Sequence, residues 1–428
     1  MSVDRPRLDR IRARLELLAC CDPQLQVFGA ITHEYRLAPP LAEAEVVEFE
    51  RRHGVELPAD YRAFITTLGN GGAGPFYGLA PLRDAPPKYG AALDEQTPPS
   101  LARPFPLAEA WRQGGEPGQP PIPPGTSVYD GVIELSSHGC GYFDVLVVGG
   151  PRRGEVWADF TQALGGLVPW YPSFFDAYEA WLDRAFVDWA CASPASLLYE
   201  DTERFDEALA IVEPLLERAL AQLDSPPGDP ALLEYPKDPT LLLAALAYLR
   251  ARQGRHDRAL ELLDQIPARS NQDGEARRQL GRVRVFADRS ELERALEAAD
   301  AGLASDRLWF ATELELLREK RSLLADLERP DEALEVSRKL AQMQASDLFA
   351  QYDLAWELLE RELLDDAAAC LIAAAERGVG CEKDDPLAQR IEQVAGGLLD
   401  ALEREGLGER AMVLRERLDL ARAEGPTD

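Results

Sequence analysis

LAEAEVVEFERRHGVELPADYRAFITTLGNGGAGPFYGLAPL, residues 41–82, carries the clearest structural signal in the chain. Two apolar patterns at helical spacing follow one another there: Ala42, Val46, Phe49 and His53, then Tyr61, Phe64, Ile65 and Leu68. Gly54 is placed to end the first helix, and Pro58 suits the first turn of the second. Gly69 is placed to stop that second helix, and residues 76–79 then read as a strand. The stretch therefore predicts helix, loop, helix, glycine turn and strand.

Gly69, Gly71 and Gly74 in this stretch also match the spacing of a dinucleotide-binding loop, G-x-G-x-x-G. Such a loop needs a strand before it and a helix after it, so that the pyrophosphate meets a helix N-terminus. The order here is the reverse. We therefore interpret the glycines as a helix stop and a tight turn, and the sequence excludes a Rossmann domain.

The pattern E-x-x-x-G-x-x-LP-x-DYR-x-F, followed by NGG-x-G-P, resembles the signature of the SUKH superfamily, best known for bacterial immunity proteins that neutralise toxins. The resemblance extends over residues 35–190 in the family's order. Residues 103–107 and Trp111 resemble a short strand leading into a helix that carries a tryptophan. Residues 131–160 resemble the closing hairpin with its GCG turn, and residues 172–189 the terminal helix. A proline-rich insertion, residues 85–124, departs from the family pattern and predicts a long surface loop.

The resemblance implies an α+β domain, a mostly antiparallel sheet flanked by helices. Its terminal helix carries one aromatic stripe at helical spacing: Phe174, Tyr178, Trp181, Ala185 and Trp189. An amphipathic helix at the N-terminus is predicted by a second stripe: Leu8, Ile11, Leu15 and Leu18. We expect this domain to occupy residues 1–192 and to fold without the rest of the chain.

After Trp189 the chain becomes rich in Ala, Leu, Glu and Arg, and a short motif recurs with an alanine at its end. The motif alanines are Ala208, Ala259, Ala295, Ala333, Ala367 and Ala411, at spacings of 51, 36, 38, 34 and 44. A period of 34 residues is that of the tetratricopeptide repeat, in which a small residue lets two helices approach closely. Residues 193–428 therefore predict an all-α stack of roughly five or six helix pairs. The proline-rich stretch 225–239 accounts for the first long spacing, and a generic helical bundle is the alternative.

The net charge of −29 is unevenly distributed, with −9 in residues 1–192 and −20 in the remainder. Such a surface repels nucleic acid and anionic membranes and attracts basic partners, although solubility alone also explains it. No apolar run is long enough for a membrane span, and the N-terminus lacks a signal-peptide core. Six scattered cysteines without CxxC spacing suit reduced thiols, so we expect a cytoplasmic bacterial protein.

The sequence contains no motif of a known catalytic site. HExxH, GxxxxGK[ST] and GxSxG are all absent. His138 near Cys140 invites a metal or Cys–His reading, but no further cysteine or histidine lies close to them in sequence, and a turn role explains them better. We therefore expect no metal, no cofactor and no enzymatic activity.

The function that the resemblance implies is neutralisation of a toxin by direct contact. Secreted nuclease toxins are often basic, which fits the acidic charge. Six residues are our candidates for the partner-binding surface: the acids Glu134, Asp144, Glu155 and Asp159, and the aromatics Tyr77 and Trp170. Strand alternation predicts that Asp144 points outward, whereas Trp157 and Trp181 are expected in the core. The alternative function is a regulatory scaffold that binds a protein or peptide through the helical repeats.

Overall fold

The computed structural model describes residues 4–83, 98–112, 119, 121–163, 165–192, 197, 203–222, 239–267, 273–344, 348–377 and short stretches between 395 and 416. Two proline-rich segments were predicted, at residues 85–124 and 225–239. Residues 85–97, 113–118 and 120 of the first and residues 225–238 of the second lie outside the described part. Backbone contacts divide the chain into two compact units, residues 1–253 and 254–428. Within the described residues, no helix combines the length and the apolar character that crossing a membrane requires.

The helices of the first unit are α1 (Arg5–Cys21), α2 (Ala30–His33), α3 (Glu43–His53), α4 (Ala59–Thr67), α5 (Phe174–Ala192), α6 (Glu203–Gln222) and α7 (Pro239–Arg252). The carboxylate of Asp4 caps α1 by accepting from the Arg7 N–H, and the predicted apolar stripe of this helix is buried. Gly54 ends α3 in the left-handed conformation, as predicted. The aromatic stripe predicted for α5 is also buried. Sequence periodicity therefore located these helices correctly.

The sheet of the first unit is antiparallel and has five strands: β1 (Trp111–Arg112), β2 (Val132–Gly139), β3 (Tyr142–Val147), β4 (Val156–Asp159) and β5 (Gly166–Tyr171). Their spatial order is β1-β5-β4-β3-β2, so β3 and β4 are interior strands. Val145 of β3 lies opposite Trp157 of β4, and both belong to a core on one face of the sheet with Phe105 and Tyr129. An α+β architecture with the predicted hairpin is confirmed.

Two of the predicted elements are wrong. Residues 76–79 form a turn with Phe76 at φ +52°, and only isolated backbone bridges join Gly72 to Leu79 and Leu79 to Ser136. The strand is interrupted because the chain reverses immediately after the glycines. Trp111 lies not in a helix but in β1, where it pairs with Leu167.

The glycine turn itself is confirmed as structural. Gly71 and Gly72 have φ values of +93° and +98°, which residues with a side chain rarely adopt. A Cβ on Gly72 would lie 2.4 Å from the carbonyl oxygen of Arg36, and one on Gly74 would lie 2.6 Å from the Cγ of Leu79. Gly71 and Gly72 need glycine for their backbone conformation, and Gly72 and Gly74 need it for the close approach of neighbouring chain segments.

The second unit consists of α8 (His256–Asp264), α9 (Gly274–Asp288), α10 (Leu292–Leu303), α11 (Phe310–Asp326), α12 (Pro330–Met343), α13 (Leu348–Glu360) and α14 (Leu364–Arg377) within the described residues. Helices α9 to α14 form three successive pairs. In this part of the chain each helix packs mainly on helices one or two places away, which is the arrangement of a repeat stack rather than of a closed bundle.

The motif alanines lie near the start of the second helix of each pair. Ala295, Ala333 and Ala367 are at most 2% exposed, in α10, α12 and α14 respectively. The same close approach explains Gly302, where a Cβ would lie 2.9 Å from the side chain of Leu316 on the next helix. The sequence motif therefore marks true contact positions. The number of five or six helix pairs predicted for residues 193–428 stays a prediction, because the structure describes only part of that range.

A buried arginine joins neighbouring helices in each unit. In the second unit Arg284 of α9 is 4% exposed and contacts Glu315 at 2.8 Å and Glu319 at 2.6 Å, both on α11. In the first unit Arg250 of α7 is also buried and pairs with Glu213 and Glu217 on α6. The two carboxylates are four residues apart in both cases, so the guanidinium bridges successive turns of the facing helix.

The compact units do not divide the chain at residue 192. Helix α5 packs on α6 and α7, and the ring of Trp189 meets that of Phe205 edge to face at 5.5 Å between centroids. These contacts place α6 and α7 with the first unit. That residues 1–192 fold by themselves stays a prediction.

Candidate partner-binding pocket

The first unit contains a cavity of about 110 Å³ between α5, β5 and the turn after the glycines. Its walls are aromatic: Phe28, Phe76, Trp170, Tyr171 and Trp181. Its charged lining residues are Asp144, Arg184 and Asp188. We call this cavity the aromatic pocket.

Helix α5 builds one wall of the aromatic pocket through its spacing. Ala177, Trp181, Arg184 and Asp188 recur at intervals of four, three and four residues and therefore share one helical face. Ala177 and Ala180 leave space beside Trp181 because their side chains are short. β5 ends with Trp170 and Tyr171 just before α5 begins, and both residues line the same cavity.

Aromatic side chains continue from the pocket onto the protein surface. Phe28 is 57% exposed and Tyr77 45% exposed, and their ring centroids lie 5.4 Å apart in an edge-to-face arrangement. Phe76 stacks on His138 at 3.7 Å, and His138 meets Trp170 edge to face at 6.0 Å. We call these five residues the aromatic patch. Exposed aromatic rings of this kind are enriched in protein–protein interfaces.

Two carboxylates and one guanidinium charge the pocket. Asp144 is buried; its Oδ2 accepts from the Ser136 hydroxyl at 2.6 Å, and its Oδ1 lies 2.9 Å from the Nε2 of His138. Asp188 contacts the Nε of Arg184 at 3.2 Å. Burial raises the pKa of Asp188 above its usual value, with the neighbouring Arg184 opposing that shift. With both carboxylates ionised, the net charge of the three charged side chains that line the pocket is −1.

Of the six residues predicted to bind a partner, the structure brings three together. Tyr77 and Trp170 belong to the aromatic patch, and Asp144 lines the aromatic pocket. The prediction that Asp144 points outward to solvent is wrong, because β3 is an interior strand with both faces covered. Val145 packs in the core on one face, and Asp144 lies beneath α5 residues on the other.

The remaining three acids lie away from the pocket. Asp159 is 2% exposed and accepts hydrogen bonds from the Tyr129 hydroxyl at 3.0 Å and the Thr161 hydroxyl at 2.6 Å, so its proposed place on the surface is wrong. Glu155 is half-buried and accepts from the indole N–H of Trp157 at 3.0 Å. Glu134 is half-buried on β2. Trp157 and Trp181 are both buried, as expected.

Sequence reasoning missed Phe28, Arg184 and Asp188. Arg184 and Asp188 could have been found, because they continue the helical face that contains Trp181. Phe28 precedes α2 in irregular structure, where no periodicity signals its position. His138 and Cys140 belong to no group of three or more His, Cys, Asp or Glu side chains that could hold an ion within the described residues.

No protein-family model matches the sequence, and no curated protein matches it either. The predicted resemblance of residues 35–190 to the SUKH superfamily therefore stays a prediction without support from these comparisons. Among solved structures, the chain is similar to YrrB, described as a TPR protein with an unusual peptide-binding site, at 15% identity and a TM-score of 0.29, over 43% of this chain and 87% of that one. It is also similar to MamA, at 15% identity and a TM-score of 0.29, over 43% of this chain and 98% of that one. A third similar structure is a putative kinesin light chain of Podosopora anserina with nearly identical TPR-like repeats. Its identity is 19% and its TM-score 0.31, and the match covers 44% of this chain and 98% of that one.

Proposed function

We propose that the chain is a non-catalytic protein-binding protein of the immunity type, which neutralises a toxin by covering it with the first unit. The observation that carries this proposal is the aromatic patch. Phe28 and Tyr77 expose large apolar surface beside a pocket, although burying such rings is strongly favourable. A partner that covers them would gain that free energy. The SUKH-like order of helices, turn and hairpin supports the choice of an immunity protein among binding proteins.

The acidic surface has a supporting role in this proposal. The net charge of −29 would speed the approach of a basic toxin more than it would set the final affinity. Since Asp144 and Asp159 are buried, the steering charge comes from other acids of the surface. The affinity itself comes from the aromatic patch and the pocket beside it.

The test is co-expression of the full chain with each toxin encoded beside its gene. We expect rescue of growth by the wild type and loss of rescue by the double variant Phe28→Ala, Tyr77→Ala. A matched control is Val47→Ala, because Val47 is an exposed apolar residue of α3 that lies outside the aromatic patch. If the wild type rescues against no neighbouring toxin, the immunity proposal fails. Equal rescue by the wild type and the double variant would instead refute the role of the patch.

A scaffold function is the second candidate, and it is favoured by exposed aromatic residues in the second unit. Trp309 and Phe310 lie at the start of α11, and both side chains are largely exposed. They could hold a peptide or protein in the same way as the aromatic patch. The double variant Trp309→Ala, Phe310→Ala distinguishes the two candidates: a scaffold that uses this site loses its partner, whereas an immunity protein that uses the first unit keeps its rescue.

A further inference from the structure

We infer that the aromatic pocket binds a basic side chain, an arginine or a lysine, that the partner protein inserts into it. This inference rests on the proposed function, because it specifies what the partner presents at that surface. Its geometric basis is the combination of aromatic walls with the carboxylates of Asp144 and Asp188 in one cavity.

The charge of the pocket selects a cation. Arg184 compensates one carboxylate through its contact with Asp188, whereas Asp144 contacts the hydroxyl of Ser136 and the ring of His138. A second positive charge would complete the balance. An anionic ligand would face two carboxylates, and a purely apolar one would cover them without compensating their lost hydration.

The walls favour the same ligand. Trp170, Trp181 and Phe76 line the cavity, and a cation placed over the face of an aromatic ring is attracted by the electrons of that ring. The stem of an arginine or lysine is apolar and can lie against the same rings. The charged end of an arginine or lysine side chain matches the carboxylates of the lining, and its apolar stem matches the aromatic rings.

The rim identifies a protein rather than a small metabolite as the source of this cation. Phe28 lines the cavity and is 57% exposed, and Tyr77, whose ring contacts that of Phe28, is 45% exposed. A metabolite small enough for the cavity would leave these side chains in water. A protein that inserts one basic side chain would cover them, as the ring of residues around an interface hot spot is covered.

The experiment uses the full-length protein with 5-fluorotryptophan in place of its seven tryptophans, observed by fluorine NMR. The signals of Trp170 and Trp181 are assigned with the variants Trp170→Phe and Trp181→Phe. The probes are N-acetyl-arginine amide and N-acetyl-lysine amide, with N-acetyl-citrulline amide as the neutral analogue of the first. We expect saturable shifts of those two signals with at least one basic probe and none with the citrulline probe.

Two pocket variants and one control complete the test. Asp188→Asn removes a charge-assisted contact and should weaken binding about tenfold or more. Because the substitution also removes the contact with Arg184, circular dichroism and the unfolding temperature of the variant are compared with those of the wild type to show that it is folded. Ala180→Leu fills the cavity without changing its charge and should abolish binding. Glu56→Gln removes a charge from an exposed side chain, 85% accessible and outside the pocket, and should bind as the wild type does.

The inference is overturned if neither basic probe gives saturable shifts, or if the citrulline probe binds equally well. It also fails if Glu56→Gln weakens binding as much as Asp188→Asn, or if Ala180→Leu still binds. These titrations contain no toxin, so they fail independently of the immunity proposal. Normal binding of a basic probe together with no rescue in co-expression would refute the immunity role and leave the pocket assignment standing.

Discussion

Acidification should destabilise the first unit through one buried histidine, His33. Its ring lies edge to face against Trp181, with 5.9 Å between centroids, and its Nδ1 accepts the backbone N–H of Tyr35 at 3.0 Å. The ring also hydrogen-bonds to the Gly74 backbone, which identifies the neutral tautomer with its proton on Nε2. Burial lowers the pKa of His33 from 6.5 to about 4, and the contact with Gly74 only partly opposes this shift.

The sign and size of the effect follow from that pKa. Between about pH 6.5 and 4 the unfolded chain binds a proton at His33 and the folded chain does not. Stability contributed by the neutral ring is therefore complete above pH 6.5 and is lost as the pH falls through this window. At about 1.4 kcal/mol per pKa unit, the loss is about 3 kcal/mol, or about 2 kcal/mol after allowance for partial solvation of the ring.

The assay is urea unfolding of the full chain at pH 7 and pH 4.5, followed by tryptophan fluorescence. Five of the seven tryptophans, 111, 157, 170, 181 and 189, report on the first unit. His33→Gln keeps a donor for Gly74 and removes the titrating ring. It should be less stable at pH 7, and it should lose about 2 kcal/mol less on acidification than the wild type. His53→Gln is the matched control and should follow the wild type. Equal losses in the wild type and His33→Gln, or an NMR titration in which His33 is protonated near pH 6.5, would refute the reasoning.

Three further perturbations test the fold. Gly72→Ala should destabilise the first unit by about 2–4 kcal/mol in thermal unfolding, whereas Gly125→Ala should cost about 1 kcal/mol, because Gly125 also has a positive φ but open space around it; equal costs would show that the close approach to Arg36 is unimportant. Ala295→Leu should lower the stability of the second unit by about 1–3 kcal/mol through overpacking, and an unchanged unfolding midpoint would contradict its contact role. A fragment of residues 1–192 should unfold cooperatively but at a lower temperature than one of residues 1–253, which keeps α6 and α7; a non-cooperative, aggregating 192-residue fragment would show that this domain is not independent.

Local chemistry made the helices and the glycine turn predictable from the sequence. The apolar stripes of α1, α3, α4 and α5 each repeat at helical spacing, and such a stripe is expected to pack against the protein core. The turn at Gly71 and Gly72 was predictable because glycine readily adopts the positive φ values that a tight turn after a helix often requires. The motif alanines of the second unit were predictable for a related reason, since contact between paired helices limits the size of the side chain.

Features that depend on the order of strands in the sheet were not predictable in this way. Alternation along β3 correctly separated Asp144 from Val145, but it could not show that β3 would be an interior strand with α5 over its second face. Asp159 was wrongly predicted to be exposed for the same reason, because the sequence does not show which strands and side chains surround it. The aromatic pocket draws on segments more than a hundred residues apart, from Phe28 to Asp188, and no local pattern contains that proximity.

The arginine bridge between α9 and α11 has a consequence for the time course of synthesis. Glu315 and Glu319 lie one turn apart and repel each other until a guanidinium neutralises them. Because Arg284 precedes them in the chain, it leaves the ribosome first and can already be held by the folded α9 when the two glutamates emerge. In the first unit the order is reversed: Glu213 and Glu217 emerge before Arg250 and must remain hydrated until α7 arrives. A pause after Glu217 has left the ribosome but before Arg250 has done so would therefore leave α6 with an unmatched charge pair, whereas a pause before Glu315 emerges would leave only a single solvated arginine.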